Sequence, residues 1–264
     1  MLHLSGLPSF IDWHWLWLAV AAFLAGILNA VAGGGSFLSF PAMLGMKMLP
    51  IQANATNSVA IWPGQLTSIA GYNHDIRRNP RMALLMACAG LLGGSAGALV
   101  LLHTPQRTFM HLVPWLLLSA AIIFAVSGPV SRKLESRKAV SAPIKPSPRL
   151  TVFLAITSIC FYIGYFGAGA GFLLMTMLSL FGWQDLHEIN ALKVSATTPA
   201  NGIACILFIA GNQVVWRCCL LAMVTCAIGG YLSARMARHV PQALLRAIVV
   251  VIGLSMAAWF FWRQ

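Results

Sequence analysis

Two clusters of glycine and polar residues interrupt a chain that is otherwise strongly apolar. The first cluster comprises Gly33, Gly34, Gly35 and Ser36, followed by Asn54, Thr56, Asn57 and Ser58. The second comprises Gly169, Ala170 and Gly171, followed by Asn190, Lys193, Ser195 and Thr197. A glycine-rich break leaves backbone N–H groups free at the start of the next helix, and these donors favour an anion. With amide and hydroxyl donors and one lysine nearby, the clusters predict a binding site for a small anion.

The acidic residues argue against a cation site. All five carboxylates lie in predicted loops or at the edges of apolar segments, namely Asp12, Asp75, Glu135, Asp185 and Glu188. A carboxylate proton relay is therefore poorly supported. His103 and His239 each lie two residues before a proline at a predicted turn, which favours surface positions over a metal site. No arrangement of nucleophile, base or metal ligands is apparent, so we expect no catalytic residues, metal or cofactor.

Lys193 is the most informative single residue of the two clusters. It lies within an apolar segment, where an ionisable side chain is functional by default. The alternative is a lysine near a helix end that extends its ammonium to the membrane surface and pairs with Asp185 or Glu188. The glycines also have two interpretations, because small residues can serve close helix packing. Packing is favoured for Gly93–Gly94, Gly97 and Gly229–Gly230, whereas a broken helix is favoured at the two clusters.

Composition fixes the class of protein that carries these clusters. The 264 residues are 59% hydrophobic and only 8% charged, against about 25% charged in soluble domains. The sequence predicts an all-α polytopic membrane protein whose surroundings are the lipid bilayer. The net charge of +12 comes from basic residues in short loops, a pattern typical of membrane topology and not of nucleic-acid binding.

An internal repeat organises the chain. At an offset of 136 residues, Gly33 aligns with Gly169, Asn54 with Asn190, and Pro63 with Pro199. Each half has five apolar segments, and the second is short and follows the glycine break. The segments span roughly 14–32, 36–49, 52–72, 82–102 and 108–128, then 150–168, 172–182, 188–210, 217–236 and 243–262. We predict 8–10 transmembrane segments, with a kink or unwound turn at both prolines.

The halves are predicted to be residues 1–130 and 150–264, joined by a basic linker at 131–149. The linker carries six Lys and Arg residues, so it should lie in the cytoplasm. Counts of basic residues barely distinguish parallel from inverted halves. The N-terminal tail has no Lys or Arg before Lys47, which favours an external N-terminus and therefore inverted halves.

The motifs resemble those of a known transporter family. VAGGGSFLSFPAML followed by ANATNSVAIWPG, and GAGAGFLL followed by NALKVSATTPANG, are similar to the sulfite exporter TauE/SafE family, also called the toluenesulfonate uptake permease family. Ala170 departs from the triple glycine of the first copy, since it aligns with Gly34. The resemblance implies secondary transport of sulfite, sulfonates or related anions across the bacterial cytoplasmic membrane. We expect alternating access of the two halves. A passive anion channel and, less favoured, a membrane-embedded enzyme are the alternatives, and assembly as a homodimer is left open.

Overall fold

The chain folds into helices joined by short connections. The computed structural model describes residues 13–32, 34–137, 148–183, 185–236 and 242–263, and within these ranges it contains eleven helices and no strand. In chain order they are α1 (Trp13–Ala32), α2 (Ser36–Gly45), α3 (Pro50–Gly71), α4 (Asn73–Arg78), α5 (Pro80–His103), α6 (Gln106–Arg137), α7 (Arg149–Tyr165), α8 (Ala170–Leu180), α9 (Leu186–Ala210), α10 (Trp216–Met236) and α11 (Gln242–Arg263). The all-α fold class is confirmed.

Helix ends agree closely with the predicted apolar segments. The two short helices, α2 and α8, follow the two glycine-rich stretches as expected. Three details differ. α4 was not predicted, and α6 continues into the predicted linker as far as Arg137. Of the predicted kink or unwound turn at the prolines, the unwound turn is wrong, because α3 and α9 remain helical through Pro63 and Pro199. A kink at these prolines stays a prediction. A proline removes only one helical hydrogen bond, and neighbouring helices can support the backbone around it.

The outward faces of the helices are apolar, as a bilayer requires. Leu84, Leu92, Ile206 and Val251 each expose more than half of their surface. On length and composition alone, two described helical stretches could cross a membrane, Pro80–His103 and His187–Ala210, and several shorter helices are also apolar. Several polar residues are instead inside, among them Asn54, Thr56 and Asn57, which are at most 1% exposed. The number of crossings stays a prediction.

Glycines set the directions of the central helices by allowing backbones to touch. A Cβ atom on Gly90 would lie 2.3 Å from the Ala196 carbonyl oxygen, and one on Gly94 would lie 2.4 Å from that of Ala200. Since both contacts advance by four residues, α5 and α9 are parallel. α5 and α7 are parallel as well, because Gly93 and Gly97 approach residues of α7 in the same order. The packing interpretation of Gly93, Gly94 and Gly97 is confirmed.

α3 runs antiparallel to α5, α7 and α9. The Val215 amide, in the connection from α9 to α10, donates to Thr56 Oγ1 near the start of α3 at 3.0 Å. Further along, Trp62 Nε1 donates to the Thr198 carbonyl at 3.2 Å. α3 and α9 are the third segments of the two predicted halves, and an antiparallel course is what inverted halves require. The equivalence of the halves, and their boundaries, remain predictions.

Two hydrogen bonds between α3 and α9 join residues that are 136 positions apart. One is the bond from Trp62 to Thr198, and the other runs from Asn201 Nδ2 to Gln65 Oε1 at 2.9 Å. The predicted repeat offset is also 136 residues. A residue can touch its own equivalent only near a two-fold axis, so equivalent halves would have their axis between α3 and α9.

Candidate functional site

The second glycine-rich stretch forms a genuine break between two helices. α7 ends at Tyr165, and α8 begins at Ala170. Gly167 and Gly169 between them have φ values of +79° and +74°, a region that side-chain-bearing residues rarely adopt. Gly169 is the N-cap residue of α8 and supplies no side-chain cap to its first turn. The Phe172 amide bonds to the Gly169 carbonyl at 3.2 Å, and binding of a ligand by the other backbone donors at the start of α8 stays a prediction.

Lys193 lies beside this break. A Cβ atom on Gly171, in the first turn of α8, would be 3.8 Å from Lys193 Cδ and would meet nothing else within 4 Å. Gly171 and Lys193 are each partly buried. The space that a side chain at position 171 would fill is therefore bounded by the lysine stem.

The lysine ammonium is held by its own helix. Lys193 Nζ donates to Asn190 Oδ1 at 2.8 Å and lies 3.9 Å from Met175 Sδ on α8. Residues three apart share one helix face, which is why this pair can form. Within the described part of the chain, Lys193 forms no ion pair with Asp185 or Glu188. Asp185 instead accepts a hydrogen bond from the His187 amide at 2.8 Å and caps α9.

The first cluster places neutral groups at the corresponding positions. Ser39 on α2 donates to Asn57 Oδ1 on α3, and its hydroxyl also lies 3.2 Å from the Gly35 carbonyl. Ser39 and Asn57 are at most 2% exposed. At the repeat offset, Ser39 aligns with Met175 and Asn57 with Lys193. The two contacts thus occupy matching places, but one is a neutral hydrogen bond and the other carries a positive charge.

Asn54 connects the first cluster to the second break. Its Nδ2 donates to the carbonyl of Tyr165, the last residue of α7, at 3.1 Å. Its Oδ1 is buried and has no hydrogen-bond partner among the described residues, and the same holds for Thr198 Oγ1. An unpaired buried polar atom costs about 1–3 kcal/mol, so a water molecule or a ligand group bound there would be stabilising.

The two breaks differ in the space around their glycines. A Cβ atom on Gly35 would lie 2.4 Å from the Ala25 carbonyl oxygen of α1. Gly35 is therefore required for close packing, whereas Gly171 faces open space and Lys193. Gly34 is buried, and Ser36 is partly buried in the first turn of α2. Gly33 lies outside the described residues, so its predicted role is neither supported nor opposed.

Several predicted donors have their side chains engaged elsewhere. Thr56 Oγ1 accepts from the Val215 amide, Ser58 Oγ donates to the Asn54 carbonyl at 3.0 Å, and Ser195 Oγ donates to the Ala191 carbonyl at 2.8 Å. Ala170 is buried as the first residue of α8, and Thr197 is partly buried with its carbonyl accepting from Asn201. Their contact with a ligand stays a prediction.

Two residues that contact the predicted site residues were not predicted from the sequence. Ser39 and Met175 each lie 18 residues before the residue they contact. The repeat alignment pairs the two positions, so it could have revealed them. Neither serine nor methionine is unusual in an apolar helix, which is why neither attracted notice singly.

Known protein sequences are similar to this chain over most of its length. The family model described as sulfite exporter TauE/SafE matches residues 18–260. A probable membrane transporter protein, YfcA of Escherichia coli strain K12, is 26% identical over 249 residues, covering 91% of this chain and 87% of that protein. A probable membrane transporter protein of Haemophilus influenzae is 26% identical over 248 residues, covering 94% of each. No solved structure gives a significant match. On the family match, which extends over most of the chain, the protein belongs to the sulfite exporter TauE/SafE family of membrane transporters.

Proposed function

We propose that the protein is a secondary transporter that carries a small anion across the bacterial inner membrane by alternating access. Sulfite and organosulfonates are the first candidates, in keeping with the family description. The observation that supports this most directly is the position of Lys193. Among the basic side chains whose surroundings are described, Lys193 is the one that is partly buried, while Lys47, Arg77, Arg78, Arg81, Arg107, Arg149 and Arg217 are exposed.

The anion would bind between the start of α8 and Lys193. The N–H groups of Ala170 and Gly171 at the start of α8 would supply neutral donors, together with the positive end of the helix dipole. The Lys193 ammonium supplies the formal charge, and Asn190 holds it at one place on α9. Oxygens of a small oxyanion suit both kinds of donor. The open space next to Gly171 leaves room for such a group.

The neutral first half would help the anion to leave. A carrier must release its substrate in each cycle, and a second lysine at the position of Asn57 would strengthen the hold on an anion. In the structure this position is occupied by an amide whose Oδ1 is already bonded to Ser39. A single strongly hydrated charge on a flexible stem suits a site that binds and then releases a small oxyanion.

The test is a flux assay in proteoliposomes with the purified full chain. Sulfite, sulfate, toluenesulfonate and chloride are offered in turn, and the variant Lys193→Met keeps the length of the side chain while removing its charge. The matched control is Lys47→Met, since Lys47 is exposed beyond α2. A charged hydrogen bond is worth about 1.5–3 kcal/mol, so we expect Lys193→Met to raise the apparent KM roughly tenfold or more.

The form of the flux separates the alternatives. Counterflow that depends on anion on both sides supports a carrier, whereas a steady conductance supports a passive channel. An absence of flux with every anion would contradict transport and return attention to an enzyme. Unchanged transport kinetics in Lys193→Met would refute the role of Lys193. They would not contradict the proposed transport function.

A further inference from the structure

A second polar feature lies at the opposite end of α7 from the glycine break. α5 begins at Pro80 and α7 at Arg149, and because the two helices are parallel their first turns lie side by side. A cavity of about 360 Å³ opens between them and is lined by Asn79, Arg81, Met82, Leu85 and Arg149. It is remote in the chain from the residues around Lys193, and the proposed transport function does not use it.

The polar wall of this cavity is positively charged. Arg81 and Arg149 are exposed, and neither guanidinium group has an ion pair or hydrogen bond with any other described residue. The nearest acid along the chain, Asp75, is already paired with Arg78 at 3.5 Å. Two unpaired guanidinium groups that line one cavity form a site suited to a phosphate, which guanidinium groups bind through paired hydrogen bonds.

Apart from Asn79, whose side chain accepts a hydrogen bond from the Met82 amide, the remaining wall is apolar and adjoins the lipid-facing surface. Met82 and Leu85 line the cavity itself. Leu84 and Leu150, the latter adjacent to Arg149, are 65% and 69% exposed. Large apolar side chains this exposed belong in hydrocarbon, whereas arginines belong among headgroups. The cavity therefore lies where headgroup and hydrocarbon meet.

We propose that this cavity binds the headgroup of an anionic phospholipid. The phosphate would contact Arg81 and Arg149, and the glycerol and upper acyl chains would contact Met82 and Leu85. A free phosphate would satisfy the arginines but leave the apolar wall without a partner. Basic pockets between membrane helices on the cytoplasmic side recognise anionic lipids in this way. The site would link the first turns of α5 and α7, which belong to different predicted halves.

The test measures lipid retention on the purified full chain by native mass spectrometry. Dioleoyl phosphatidylglycerol is compared with dioleoyl phosphatidylcholine, which has the same acyl chains and no net charge. We expect preferential retention of phosphatidylglycerol by the unmodified protein. Arg81→Gln and Arg149→Gln should each weaken it about fivefold, the equivalent of roughly 1 kcal/mol per basic residue at a membrane surface.

Arg217→Gln is the matched control. Arg217 aligns with Arg81 at the repeat offset and is also exposed, near the start of α10. Retention unchanged in this variant supports a specific site. Equal retention of both lipids, or an equal loss in Arg217→Gln, would overturn the proposal. Competition by millimolar inorganic phosphate or glycerol phosphate would also overturn it, in favour of a site for free phosphate. Unfolding temperatures of all three variants verify that each is folded.

Discussion

The contrast between Gly35 and Gly171 gives the sharpest prediction. Both lie at a glycine break, and the sequence assigns both to the anion site. In the structure, a Cβ atom on Gly35 would lie 2.4 Å from the Ala25 carbonyl oxygen, whereas one on Gly171 would find its nearest neighbour, Lys193 Cδ, at 3.8 Å. The same substitution should therefore damage folding at one position and function at the other.

The magnitudes follow from these distances. Gly35→Ala forces backbone of α1 to move, and overpacking of this kind costs about 1–3 kcal/mol. In a chain of this size that lowers the apparent unfolding temperature by on the order of 5 °C. In Gly171→Ala the new methyl group makes only an ordinary van der Waals contact. The free energy of unfolding should therefore stay the same or rise by up to about 1 kcal/mol, because alanine has a better helix propensity than glycine. In Gly171→Val, methyl groups reach about 1.5 Å beyond Cβ and contact the lysine stem.

Displacing Lys193 should impair transport without unfolding the protein. If its ammonium loses the contact with the anion, about 1.5–3 kcal/mol is lost, which corresponds to roughly a tenfold or greater fall in the rate at low substrate. The assays are thermal unfolding in detergent and anion flux in proteoliposomes, with Gly45→Ala as the control because nothing lies within 4 Å of that position. Full flux in a stable Gly171→Val protein would refute the placement of the anion beside α8.

Three further predictions address packing, the neutral half and topology. Gly97→Ala should destabilise the protein by about 1–3 kcal/mol in thermal unfolding, since its Cβ atom would lie 2.0 Å from a carbonyl oxygen of α7; an unchanged unfolding temperature would contradict the tight contact between α5 and α7. Ser39→Ala leaves Asn57 Oδ1 unpaired and should cost about 1–3 kcal/mol by the same measurement, yet retain anion selectivity. For topology, a cysteine introduced in the linker at 131–149 should be labelled only from the cytoplasm, and one added at the C-terminus only from outside. Labelling of both from one side would exclude inverted halves.

The sequence anticipated the helices better than the site. Helix ends were predictable because glycine, proline and charged residues interrupt apolar runs at clear positions, as before α2 and α8. α4 was missed because its six residues, Asn73–Arg78, include a single apolar side chain, Ile76, which is too little pattern to indicate a helix. A kink or an unwound turn was expected at Pro63 and Pro199, but both helices continue without an unwound turn. Whether a proline opens a helix depends on the packing around it, which spacing along the chain does not reveal.

The site required contacts that no local pattern encodes. The hydrogen bond between Asn190 and Lys193 could be expected from their spacing of three residues on one helix. The crowding of Gly35 by Ala25 could not, because it depends on how α1 and the first break pack together. For the same reason, the bond from Asn54 to the Tyr165 carbonyl, across 111 residues, was beyond prediction.

Unequal halves have a physical rationale in the proposed anion carrier. A second lysine at position 57 would have to occupy a place that is 1% exposed, and a buried charge without a partner is costly. The amide there is instead satisfied by Ser39 at no such cost. Position 193 differs because it is partly buried, has Asn190 as an acceptor, and borders the open side of Gly171. The second half can therefore keep the charge of Lys193 available to an anion, while in the first half Asn57 is satisfied by a neutral hydrogen bond from Ser39.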